Sequence, residues 1–477
     1  MTVARTDHRI CVEGAPERPA AHARLPIIAS KHKPGYTLAM LIAIYTISFV
    51  DRNILYVVAP SIQAELKLSD TVLGLLSGLA FALFYATMAL PIARVAERRS
   101  RVGLMTISLV LWSLMTAWSG AATKFWHLFF CRLGVGVGEG ACTPCAQSII
   151  CDLYPPERRA TALSTYAIGV PLGVLIGGVG GALASEMFGW RGAFVIAAIP
   201  GLVLALLFRL TVAEPVRGGC ETVTYVDRAV PSFLDVVRTL WRSPSFRHTT
   251  LGYAAGAIPG TAIQIFFIVF LVRVHGMEQL DAGIAYGLVA GVAGALGMFF
   301  GGRITDLFAA RDIRAYGFVP AAAFLCLPPL LIAAFTRDSV AAMTAIMVVP
   351  ATIYVFNIGA SYAVTNNLVE PRMRATTNAI LLMVITLFGA GLGPALVGWA
   401  SDQIAAWTFA ADYSALCLGG GDMAAALRGR CNAAAADGLR YALIMTSLFY
   451  LWGAAHYLRL AFILKAELAP EAPSATH

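Results

Sequence analysis

Arg132 and Glu139 stand seven residues apart in CRLGVGVGEGACTPC (131–145), and no other charge falls between Lys124 and Asp152. Seven positions at 3.6 residues per turn is close to two turns, so the two side chains share a helix face. Thr143 lies on the same stripe. A second apolar run, SFVDRNILY (48–56), carries Asp51 and Arg52, and Arg52 shares a face with Tyr45, Ser48 and Tyr56. A charge at the bilayer centre costs about 2.5–3.5 kcal/mol on insertion scales, so these groups must face a cavity or a partner helix. Two chemistries fit. A carboxylate beside a guanidinium stays ionised, and it takes a proton when the partner withdraws, because burial disfavours the bare charge. That is a relay able to couple a conformational change to a proton gradient. The alternative is a buried salt bridge that fixes helix packing.

Motif-like stretches elsewhere carry less. Cys142 and Cys145 form a CxxC, but among small residues in an apolar run, where close helix contact is the expected use. GVGVG (134–138) has no preceding strand and is not a dinucleotide fingerprint. No His/Asp/Glu cluster, nucleophile elbow or cofactor loop supports an enzyme, and neither a metal nor any other cofactor is expected. Cys417 and Cys431 fall in a long stretch (403–438) between the last two apolar runs, and in an oxidising compartment they could close a disulfide.

The elements that must position these residues follow from composition. The chain has 477 residues, 58% hydrophobic and 13% charged, against about 25% charged in soluble domains. Twelve apolar runs long enough to span a bilayer follow one another, among them 125–151 and 440–464. With the N-terminus inside, 25 of the 35 Lys and Arg fall on the inner side, 8 on the outer side and 2 within spans. That positive-inside bias places both termini in the cytoplasm, so the basic balance reports topology and not a nucleic-acid partner. The expected organisation is a disordered basic tail (1–35), a six-helix half (36–212), a linker (213–247), a second six-helix half (248–465) and a short tail (466–477).

The halves repeat. CDLYPPERRAT (151–161) aligns with NNLVEPRMRAT (366–376), pairing Arg159 with Arg374. ARVAER (93–98) aligns with GRITDL (302–307), at an offset that also pairs Gly74 with Gly283 and Gly78 with Gly287. Under the first alignment Arg132 meets Met347 and Glu139 meets Tyr354. The second half therefore lacks the charge pair and offers neutral groups such as Asn357. Two six-helix halves around a midplane site is the plan of a rocking carrier.

In ARVAERRSRVG (93–103), Glu97, Arg98 and Arg101 resemble the Gly-x-x-x-Asp-Arg-x-x-Arg signature of the major facilitator superfamily, with Ala93 and Glu97 departing from it. Asp152, Glu157, Arg158 and Arg159 resemble its companion charge relay. FVDRNIL (49–55), LSDTVLGLL (68–76), CRLGVGVGEG (131–140), DLYPPERRATALS (152–164), FGWRGAF (188–194) and PRMRATTNAILL (371–382) are similar to the spinster-like branch. The resemblance implies an all-α membrane protein of twelve transmembrane helices, a proton-coupled secondary carrier with Asp51, Arg132 and Glu139 as its coupling set. It also implies a conformational clamp of Asp70 with the seven loop charges just named. Substrate contacts are expected from Arg52, Tyr45, Tyr56, Thr143, Tyr354 and Asn357. The expected cargo is an amphipathic or anionic molecule such as a lysolipid. The expected partners are protons and membrane lipids, with the chain a monomer in a bacterial inner membrane. An organic-anion symporter, a multidrug exporter and a non-transporting sensor of the same fold are the rival readings.

Overall fold

The computed structural model describes residues 34–217, 233–369, 373–409, 413–418 and 424–467. The expected tails lie almost wholly outside the described residues, as does 218–232 in the linker.

Among the described residues every regular element is helical. Ten segments of the described residues are long and apolar enough to cross a membrane, and they account for eleven of twelve crossings, the other being crossing four. Thr161–Thr211 holds crossings five and six, which reverse at Gly189 (φ 68°), a left-handed conformation that suits glycine. Crossing four is divided into Phe125–Glu139 and Cys142–Leu153, each too short to span alone. The continuous run expected over 125–151 is thus broken at Gly140–Ala141, directly after Glu139.

The long connection between crossings eleven and twelve also differs from expectation. Crossing eleven continues to Phe409, and a helix restarts at Ala425, so most of 403–438 is helical rather than irregular. Alanine has the highest helix propensity, and the alanine-rich sequence at 424–427 and 433–436 extends crossing twelve into this connection. Cys417 and Cys431 are joined there in a disulfide with Cα atoms 5.6 Å apart.

Polar contacts sort the helix ends into two sides. On one, Tyr36 at the start of crossing one bonds Thr211 at the end of six. Arg101 at the start of three meets Asp152 at the end of four, and Glu467 at the end of twelve caps Ser245 at the start of seven. This is the Arg-rich side, called the basic side below. On the opposite side Glu65, ending crossing one, pairs with Arg191, which begins six.

The internal repeat is visible in structure. Arg159 Nε donates to the Cys151 carbonyl and Arg374 Nε to the Asn366 carbonyl, both at 3.0 Å and both eight residues back. Crossing ten breaks at Tyr354–Val355, the counterpart of the break after Glu139. Wide π-type turns interrupt crossings two, eight and eleven at Leu75–Leu79, Gly287–Ala293 and Thr386–Leu392. Such turns concentrate at functional positions, and here each lies where a crossing passes the other half.

Burial is uneven along the membrane normal. One apolar core runs between the halves on the opposite side, mixing Val57, Val58 and Leu73 with Ile265, Phe266 and Val269. Toward the basic side the first half buries its own residues, including Met40, Met105, Leu109 and Ile149. The halves are therefore joined at one end and separately packed at the other.

Candidate functional site

Crossing four brings its charges against crossings one to three because its glycines have no side chains to hold them off. A Cβ at Gly136 would press on the Phe81 carbonyl, and one at Gly138 on Trp112. The Gly run is thus a packing surface, and Cys142 and Cys145 beside it are buried free thiols.

Within that contact Glu139 is buried and Arg52 reaches it from crossing one. Arg52 Nε lies 2.6 Å and its terminal nitrogen 2.5 Å from Glu139 Oε2, and Ser48 Oγ donates to the same oxygen at 3.0 Å. The guanidinium sits among three aromatic faces, Phe49, Phe81 and Tyr85, at 4.6–4.8 Å from their centroids. Ring faces stabilise a desolvated cation by up to about 2 kcal/mol, which helps hold Arg52 charged at this depth.

Asp51 and Arg132 form the second, less satisfied layer. Arg132 is buried and its terminal nitrogen lies 3.5 Å from the Asp51 backbone carbonyl, at the outer limit of a hydrogen bond. Neither Asp51 carboxylate oxygen has a hydrogen-bond partner among the described residues, and neither do Arg132 Nε, Glu139 Oε1, Trp112 Nε1 and Thr116 Oγ1. Two buried carboxylates and two guanidiniums balance in charge but not in hydrogen bonds. Buried unpaired polar atoms are rare in finished cores, and here they gather on Asp51, Arg132, Glu139, Trp112 and Thr116.

The sequence pattern groups Arg52 with the substrate contacts and sets Arg132 beside Glu139. In this structure the guanidinium on Glu139 is Arg52, and Arg132 lies nearer Asp51. Tyr45 stacks on Tyr166 at 4.4 Å and Tyr56 is buried. Thr143 is half-buried. Tyr354 accepts from Gln264 at 2.7 Å, and Asn357 donates to Tyr457 at 3.3 Å. These last two belong to the facing wall and do not touch Arg52. Tyr85, Tyr253 and Tyr362 were not anticipated. Tyr45 of the first half lies within electrostatic reach of Tyr253 and Tyr362 of the second, so phenol groups line the space between the halves. Among the described residues no group of His, Cys, Asp and Glu could hold a metal ion.

The expected clamp resolves into two separate devices. On the basic side Arg101 is buried between Asp152 and Glu214 (2.8 Å), and it donates to Ser148 and to the Pro215 carbonyl. Glu214, which sequence reasoning missed, also accepts from Val102 N and Ser100 Oγ, capping crossing three. Burial opposes its ionisation, but the bonds from Ser100, Val102 and Arg101 outweigh it and hold the carboxyl below its ordinary range. Arg158 is exposed, and Arg159 ties the end of crossing four to the next helix through the Cys151 and Tyr154 carbonyls. The side chains of Glu97, Arg98 and Glu157 lie outside the described residues.

Asp70 belongs to the other side. Its carboxylate takes two bonds from Arg273 (2.6 and 2.8 Å) and one each from Ser401 and Gln63. Asp402 in turn accepts from the backbone of Asp70 and Thr71, capping crossing two from the other half. Crossings two and eleven touch backbone to backbone: a Cβ on Gly398 would overlap the Asp70 carbonyl. Asn53–Tyr286 and Ser61–Gln279 complete the latch. Between described residues, polar contacts joining the halves all lie from mid-membrane to this side.

Residues 41–418 match the Major Facilitator Superfamily. The chain belongs to that superfamily. It is 33% identical over 383 residues to an MFS-type efflux pump of Mycolicibacterium smegmatis, covering 79% of this chain and 87% of the pump. It is 27% identical over 394 residues to human protein spinster homolog 1, covering 79% and 74%. Its fold matches the inward-facing, unoccupied crystal structure of a bacterial homolog of the human lysosomal transporter Spinster. That match has a TM-score of 0.81 at 33% identity, over 93% of this chain and all of that one. The chain is thus a spinster-like transporter of the superfamily, a multi-pass membrane protein related to carriers and not to enzymes.

Proposed function

We propose that this transporter is a proton-coupled secondary carrier that moves an amphipathic anionic molecule, such as a lysolipid, by rocking its two halves around the Arg52–Glu139 site. One observation carries the reading: Glu139 is held by Arg52 at the break in crossing four, while Asp51 is buried one layer away beside Arg132 with neither carboxylate oxygen hydrogen-bonded. An incoming anionic headgroup competes with Glu139 for Arg52. Once released, Glu139 is a bare buried carboxylate, and protonation is the least costly way to keep it there. Substrate arrival and proton uptake are linked through one guanidinium.

The latch of Asp70, Arg273 and Asp402 shuts the opposite side, and the separately packed basic side is the open one. The positive-inside bias favours a cytoplasmic basic side, and on this reading the conformation is the inward-facing state of a carrier that works as a monomer in a bacterial inner membrane. Likeness to an efflux pump supports a second reading, export of aromatic drugs along the tyrosine-lined walls. Proton flux in proteoliposomes separates the two when lysolipids, organic acids and aromatic cations are added in turn. The account predicts a pH change on addition of lysolipids. Flux with aromatic cations alone selects the second reading, and no flux with any class rejects coupled transport.

A further inference from the structure

Far from the central site, a groove of about 610 Å³ opens between the basic ends of crossings seven and twelve, lined by Pro244, Arg247, His248, Arg459, Ile463 and Glu467. We propose that it binds the headgroup of an anionic phospholipid from the surrounding leaflet.

The groove carries a net positive charge, two arginines against one glutamate. Arg247 and Arg459 are exposed, and neither has an ion-pair partner among the described residues. The carboxylate nearby, Glu467, is committed elsewhere: it accepts from Ser243 Oγ and from Ser245 N at 3.0 Å, capping crossing seven. Two free guanidiniums therefore face the groove, and such donors match phosphate oxygens in geometry as well as charge. His248 lines the groove and is fixed from behind by His456, with Nδ1 atoms 2.8 Å apart, one ring donating and the other accepting. Trp452 packs on the His456 ring at 5.8 Å.

Position decides between a lipid and a soluble anion. Arg247 lies three residues from the start of its helix and Arg459 eight residues from the end of its own. At 1.5 Å per residue they sit roughly 5 and 12 Å inside the basic-side helix ends, the end of each crossing that lies nearest the headgroup layer. One turn beyond Arg247 and two beyond Arg459 toward the membrane interior, Leu251 and Trp452 are 43% and 50% exposed, an apolar track on which acyl chains can lie. Free phosphate has no use for that track. Basic pockets between transmembrane helices are established receptors for phospholipid headgroups.

The test uses the full-length protein, extracted in detergent, stripped of lipid and titrated with phosphatidylglycerol or phosphatidylcholine while bound lipid is read by native mass spectrometry. Arg247→Gln with Arg459→Gln is compared with Arg311→Gln, an exposed arginine away from the groove. The expected result is selective phosphatidylglycerol retention, weakened roughly 25-fold in the double variant and unchanged in the control. Trp452→Ala should weaken it too, and millimolar inorganic phosphate should not displace the lipid. Equal retention in the double variant, equal binding of phosphatidylcholine, or full displacement by inorganic phosphate overturns the proposal. Thermal unfolding of each variant at the wild-type temperature confirms that a lost signal is not lost fold, and the Trp452→Ala arm decides if the double variant fails to fold.

Discussion

Arg52 is the residue on which the central cluster turns. Its planar fork bonds Glu139 while its faces meet three aromatic rings, and lysine can reproduce neither arrangement. Misplacing a positioning group by about 1 Å can cost about 100-fold in rate. We therefore expect Arg52→Lys to reduce transport by at least about 100-fold with expression and folding near normal, measured by uptake into proteoliposomes. Transport within threefold of wild type would show that a point charge suffices. The charges themselves were legible in the sequence, because no apolar span retains Arg132, Glu139, Asp51 and Arg52 without a use. Their pairing was not. Which guanidinium meets Glu139 depends on the rotation of crossing one against crossing four, and neither helix's own periodicity encodes that phase. Tyr253 and Tyr362 escaped notice for the same reason: tyrosines in an apolar run look like core until the opposing half is in place.

At the scale of elements, helix ends do much of the organising. Glu214 caps crossing three and Asp402 caps crossing two, each satisfying backbone N–H groups that a helix start leaves unpaired. Glu214 lies in the linker, and its role is silent in the sequence because a lone acid after a span reads as a solvated flank. Its folded-state pKa is depressed, so its contribution is complete above the ordinary glutamate value of about 4.3 and is lost as pH falls through the lower folded value. Hydrogen exchange at Val102 and Gly103, corrected for intrinsic rates, should stay slow from pH 7 to pH 5 and accelerate below about pH 4. Opening already between pH 7 and pH 5 would contradict the assignment. The twelve crossings themselves were read correctly from hydropathy. The break after Glu139 was not, since Gly140 is one of many glycines there and only the structure shows that crossing ten breaks at the matching place.

For the whole molecule, the two halves are latched on one side by a small set of charges. Arg273 satisfies Asp70, which is buried at the contact between crossings two and eleven. Removing the arginine leaves a buried carboxylate short of its main partner, a penalty of about 3 kcal/mol or more that falls on the latched state. Such a shift changes the population ratio about 100-fold. Arg273→Ala should therefore raise labelling of a Ser61→Cys probe by a membrane-impermeant thiol reagent added to the opposite side. Unchanged labelling would mean that the apolar core between the halves, and not the salt bridge, keeps that side shut.

Proton coupling through the buried carboxylates is the central claim, and one comparison reaches it directly. Proteoliposomes carrying wild-type, Glu139→Gln or Asp51→Asn protein are loaded with a transported lysolipid and assayed for gradient-driven movement and for exchange at equal pH. Both variants should lose the gradient-driven component while retaining exchange, because a neutral amide can rock but cannot carry a proton. Gradient-driven transport with wild-type pH dependence in both variants would contradict the account.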